Sequence, residues 1–84
     1  MEHQKDNEMN IERRNRLASI ADNLLKLLDA VTSVQSEEQE TFDNLPEAFQ
    51  QGEKGQVSEA TIAAMDEALD ALSTAIVAIN TARE

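Results

Sequence analysis

Ile62, Met65, Leu69, Leu72, Ile76 and Ile79 recur in steps of three and four without interruption. That spacing lays apolar side chains along one stripe of an α-helix. A second row with the same steps runs through Leu17, Ala21, Leu24, Leu28, Val31, Gln35, Glu38, Phe42 and Leu45, and is apolar at seven of nine positions. The only proline, Pro46, and the only glycines, Gly52 and Gly55, stand between the two rows, where such residues break helices. Two long amphipathic helices joined by a short connector fold back on each other. The fold class expected for these 84 residues is all-α, an antiparallel helical hairpin forming one small domain.

Local signals set the expected boundaries. Residues 1–9 are polar and without periodicity, which reads as a flexible tail; His3 lies there with nothing nearby to complete a metal site. The first helix is expected over residues 10–44, with Asn10 as N-cap and Glu12 in the first turn. Its weakest stretch is Val31 to Ser36, rich in β-branched and Ser residues, and Ser36-Glu37-Glu38-Gln39 matches a capping box where a second helix could restart. Pro46 biases Leu45 away from helical geometry. Residues 45–57 form the expected turn, with a short helical turn after Pro46 that Gly52 stops, then a solvated connector over 53–56. Ser58 is the expected N-cap of the last helix, residues 58–82, which closes a single domain over residues 10–82.

The apolar face of the first helix is too wide for one partner. Ile20, Leu27 and Val34 form a further row beside the main stripe, and Leu25 and Ile11 widen it. The last helix carries Ala64, Ala71 and Ala78 on one flank and Ala68, Ala75 and Ala82 on the other, small residues that allow close helix approach. Each large aliphatic side chain contributes about 1.5–3 kcal/mol when fully buried, and a hairpin of this size is marginal alone. The expectation is therefore a homo-oligomer, a dimer first, in which two hairpins form a four-helix bundle through Ile20, Leu24, Leu27 and Val34. The shorter last helix covers the first only back to about Ala18, leaving residues 10–16 as an overhang with Arg13, Arg14 and Arg16. Such arginines pair with Glu12 and a neighbouring chain, or contact phosphate or an acidic partner.

Charge is distributed unevenly. The chain carries 17 acids and 7 bases, net −10. Residues 36–70 hold Glu37, Glu38, Glu40, Asp43, Glu47, Glu53, Glu59, Asp66, Glu67 and Asp70 against Lys54 alone, so the loop end of the hairpin is an acidic pole. One reading is a solvated surface that keeps a small protein soluble. Another is a binding surface for a basic protein, with Glu37, Glu40, Asp43, Glu47, Glu53, Glu59, Asp66 and Asp70 as its residues; an acidic rod of this kind can mimic nucleic acid.

Composition excludes several classes. Without cysteine there is neither a disulfide framework nor a thiolate metal site. No run approaches the ~18 apolar residues of a membrane span, and the N-terminal segment has no apolar core of the secretory kind; the expectation is a cytoplasmic protein with no membrane partner. The negative charge argues against direct nucleic-acid binding. There is no Gly-rich phosphate loop, no Glu-x-x-His pair and no EF-hand spacing. Gln35 and Glu38 on the core row read as a polar layer that fixes register. No catalytic residue, metal site or cofactor is expected, and the protein is expected not to be an enzyme.

The turn is the most distinctive segment. Glu37-Glu38-Gln39-Glu40-Thr41-Phe42-Asp43-Asn44-Leu45-Pro46-Glu47-Ala48-Phe49-Gln50 resembles the turn region of a group of small, uncharacterised helical-hairpin proteins of bacteria and their phages, which share an Asp-Asn-aliphatic-Pro-Glu turn. The resemblance covers about residues 17–80 and rests on Asp43 to Glu47. It implies a hairpin and a mobile-element context, without catalytic residues. Physically, Leu45 and Phe49 are expected to fold back with Phe42 as an apolar plug at the bundle end, with a recognition surface as the alternative. The function read from the sequence is a non-enzymatic acidic protein-interaction module, an accessory protein of phage or prophage type. The alternatives are a nucleic-acid mimic that inhibits a host defence or DNA-processing complex, and a structural bundle of a phage particle.

Overall fold

The computed structural model describes the backbone of residues 2–84 and the side chains of residues 10–84. It contains three helices: α1, Glu2–Asp43; α2, Glu47–Gln50; and α3, Glu53–Ala82. The two long helices lie against each other as an antiparallel pair, a rod measuring 72 × 14 × 13 Å. The register is fixed by contacts across the pair. Leu45 faces Val57 and Ser58, Gln35 faces Ile62 and Asp66, and Leu27 shares a groove with Ala68.

The two sequence rows are the buried seam. In α1 the half-buried or buried positions from Leu17 to Phe42 are the main row itself together with Ala18, and in α3 the row from Ile62 to Ile79 plays the same part. Gln35 donates from Nε2 to the Ile62 carbonyl at 3.2 Å and also to Asp66 Oδ1. A polar residue on the seam is thus satisfied by the opposite helix at one axial position, which specifies register.

α1 is continuous through Val31–Ser36. Thr32 donates its hydroxyl to the Leu28 carbonyl at 2.8 Å, and Thr41 does the same to Glu37 at 2.9 Å. Each hydroxyl shares a carbonyl of the preceding turn, a local bond that the helix accommodates here without a break. The helix starts at Glu2, ahead of the expected Asn10, and runs through the stretch expected as a tail; residues 2–9 contain no Gly or Pro to stop it. Met1 and the side chain of His3 lie outside the described residues. The overhang is present: α3 ends near the level of Leu17, and Asn10 to Arg16 are all exposed.

The turn differs from the expectation in two respects. α3 begins at Glu53, so residues 53–56 are its first turn and not a connector, and Ser58 is a buried residue inside the helix and not its N-cap. Gly52 occupies the N-cap position with extended backbone and no side-chain cap. The early start is possible because Gly55 fits against α2: a Cβ there would overlap the Gln50 carbonyl and lie 2.7 Å from the Gln50 Cα. The apolar plug is also only partly formed. Phe42 and Leu45 are half-buried, but Phe49 is 53% exposed. The space near the α1 end is used by the Gln50 amide, which donates to the carbonyls of Phe42 at 3.1 Å and Leu45 at 3.0 Å. Both carbonyls lie at or just past the end of α1, where the regular helical ladder stops.

Candidate functional site

Three surfaces follow from this arrangement. The first is an apolar face along one side of the rod. Ile20, Leu27 and Val34 are 45%, 54% and 53% exposed. Leu27, Ala30, Val31 and Val34 of α1 share a groove with Thr61, Ala64, Met65 and Ala68 of α3. Small residues on α3 leave the larger α1 side chains standing beside a shallow trough. Leu24, placed with this row from sequence, is half-buried on the seam facing α3, so it belongs to the hairpin's own packing. The face continues toward the loop with Val57, exposed beside Leu45 and Thr41.

The second surface is the opposite, polar side. Gln35, Ser36, Gln39, Glu40 and Asp43 of α1 line a groove with Ile62 and Asp66 of α3. Gln39 Nε2 donates to Asp43 Oδ1 at 3.0 Å. Glu40, Asp43 and Asp66 are therefore brought together. Glu53 lies on the other side, beside Lys54 and with Thr41, Leu45 and Val57. Glu37, Glu47, Glu59 and Asp70 are exposed, and Glu38 is half-buried on the seam. The eight acids expected to form one surface are thus divided around the rod, because their helical positions fall on both flanks of the seam.

The third surface is the loop end. Lys54 Nζ stands 5.9 Å from the centre of the exposed Phe49 ring, within the range of a cation–π contact. The chain's one basic residue in the acidic segment is thereby held over its more exposed aromatic ring.

Sequence reasoning missed Gln50 and Gly55. Gln50 carried no periodic signal; Gly55 carried one, since a glycine inside a helix-forming stretch marks a close backbone approach. Among the described residues, no group of three or more His, Cys, Asp or Glu side chains is placed to hold a metal ion, and no helix is long and apolar enough to cross a membrane. Comparison with known proteins gives no matching family model, curated protein or solved structure.

Proposed function

We propose that this chain is a non-enzymatic, acidic protein-interaction module that works as a dimeric four-helix bundle. One observation carries the reading: among the described residues only Ala21 and Ile76 are buried apolar residues, while Ile20, Leu27 and Val34 stay exposed on one face. A hairpin with so little apolar burial does not offset the conformational entropy of ordering its chain. Laying a second hairpin on the exposed face converts that row and the Ala64–Ala68 trough into a core. The opposite side, with Glu40, Asp43 and Asp66, stays in solvent and offers carboxylates to a basic protein partner.

The turn resemblance supports an accessory protein of phage or prophage type, acting in the cytoplasm of a bacterial host. A second reading, a nucleic-acid mimic that inhibits a host defence or DNA-processing complex, is favoured by the alignment of Glu40, Asp43 and Asp66 along one groove of a narrow rod.

Sedimentation equilibrium tests the dimer. The wild-type chain sediments as a dimer, and Leu27→Asp, which places a charge in the interface, dissociates or unfolds it. A wild-type monomer at every concentration refutes the reading. For the basic partner, Glu40→Lys with Asp66→Lys weakens a salt-sensitive complex while helicity is unchanged; for the mimic, wild-type protein also displaces DNA from that partner.

A further inference from the structure

We propose that two copies of this chain pair antiparallel through the Ile20–Leu27–Val34 face, with Arg13 and Arg16 of each copy set against the acidic loop end of the other around Glu53. The inference rests on the dimer reading and adds to it the orientation and the charged contacts that select it.

The rod has a directional charge pattern. At one end Arg13 and Arg16 line a groove with Leu17 and Ile20, so both arginines lie on the same side of α1 as the exposed aliphatic row. At the other end Glu53 and Lys54 lie in a groove with Thr41, Leu45 and Val57, on that same side. Leu27 and Val34 fill the middle. Lys54 balances Glu53 within their groove, so the acidity of this end comes from the wider 36–70 segment, ten acids against Lys54, and read along the rod the ends run basic and acidic about an apolar middle.

The spacing is symmetric. Arg13 and Thr41 each stand 14 residues from Leu27, about 21 Å either way at ~1.5 Å per helical residue. A two-fold axis crossing the rod near Leu27 therefore superposes the arginine end of one copy on the Glu53 end of its mate. The same patch serves both copies, as a two-fold interface requires. The overhang has a use in this arrangement. Arg13 and Arg16 project beyond the end of α3, where their own chain offers no second helix to cover them; the partner's loop end supplies it. Arg13 and Arg16 share their groove with Leu17 and Ile20 and are both exposed; an arginine so placed can cover apolar surface with its stem and keep its guanidinium in solvent.

The alternative two-fold axis, running along the rod, is electrostatically opposed. It places the two 36–70 segments side by side, each with ten acids and one lysine, and the two arginine ends together. Like charges at both ends disfavour that orientation.

The chain has no cysteine, so engineered cysteines report orientation directly. In the antiparallel dimer, the double variant Arg13→Cys/Thr41→Cys oxidises to a covalent dimer, and neither single variant does, because each position faces the other across the axis. In the parallel dimer each single variant crosslinks to its own copy. Charge reversal gives an independent measurement by sedimentation. Arg13→Glu/Arg16→Glu weakens dimerisation at least tenfold at low salt, and adding Glu53→Arg restores it; circular dichroism shows whether each variant stays helical. A wild-type monomer overturns the dimer reading itself. A dimer whose single-cysteine variants self-crosslink, or whose charge reversal changes nothing, leaves that reading standing and overturns the orientation.

Discussion

Gly55 packs directly on the backbone of Gln50, so closely that a Cβ would overlap the Gln50 carbonyl. This contact sets where α3 departs from α2. Gly55→Ala ought to stabilise a free helix by roughly 0.5–1 kcal/mol, since alanine is the better helix former. In this chain the steric term opposes it, because the atom to be displaced is backbone and not a flexible side-chain end. We expect net destabilisation of about 1–3 kcal/mol, the usual range for overpacking. Thermal unfolding at fixed protein concentration measures it, and a higher melting temperature would mean that α2 gives way freely.

Gln35 bridges the helices through one amide that serves both the Ile62 carbonyl and Asp66. Gln35→Glu removes the donor and puts a carboxylate beside Asp66. The carboxylate is disfavoured there, so its pKa in the folded state rises above the ordinary ~4.3 of glutamate. A raised acid is destabilising above its folded pKa, and the penalty disappears as pH falls through that value. We expect the variant to be less stable than wild type by about 1–2 kcal/mol at pH 7, and the gap to narrow toward pH 4. A gap that is constant with pH would show that the carboxylate swings into solvent. Gln35→Leu removes the amide without burying a charge, and its stability should lie within about 1 kcal/mol of wild type, because Asp66 is exposed and loses little.

Gln50 holds the end of α1 by donating to the carbonyls of Phe42 and Leu45. Gln50→Ala leaves those partly buried carbonyls without this donor. A lost hydrogen bond of this kind costs about 1 kcal/mol, which corresponds to roughly 4–8 °C in melting temperature for a domain of 60–100 residues. Gln50→Glu should be at least as damaging, since a carboxylate cannot donate. Hydrogen exchange at the Asn44 and Leu45 amides, which bond Glu40 and Phe42, would report the loosened end locally; unchanged exchange in both variants would refute the role.

The seam was legible because it is periodic. Every position from Leu17 to Phe42 in the first row, and from Ile62 to Ile79 in the second, is buried or half-buried, and hydrophobic spacing encodes just that. The register layer was visible in part: Gln35 interrupts an apolar row, and a polar residue there needs a partner. Its partners were not legible, since Ile62 and Asp66 meet it only once the chain has reversed direction. The reversal itself was the least legible element. Ser58 is a good N-cap by type, yet α3 starts at Glu53 because Gly55 permits a close approach to Gln50 that no local propensity records. Phe49 was misread for a related reason. An aromatic beside a proline turn looks like core, but the carbonyls at the end of α1 recruit the Gln50 amide instead.

Phe49 is therefore the residue on which the sequence and structural readings differ most in consequence. A plugged bundle end would bury its ring, and truncation to alanine would then cost about 3–5 kcal/mol. The ring is 53% exposed and carries the Lys54 ammonium over it. Half-burial of a Phe side chain contributes on the order of 1 kcal/mol, and an exposed cation–π contact adds about 0.5–1 kcal/mol. We expect Phe49→Ala to cost about 1–2 kcal/mol, and Lys54→Ala less. The double variant should cost less than the sum of the two, because the contact is lost only once. Chemical denaturation of the four forms completes the cycle. A loss near 4 kcal/mol for Phe49→Ala would return the ring to the core and identify the loop end as a plug. A small loss, with dimerisation intact and affinity for a basic partner reduced, would make the loop end a contact surface whose ring and carboxylates act together.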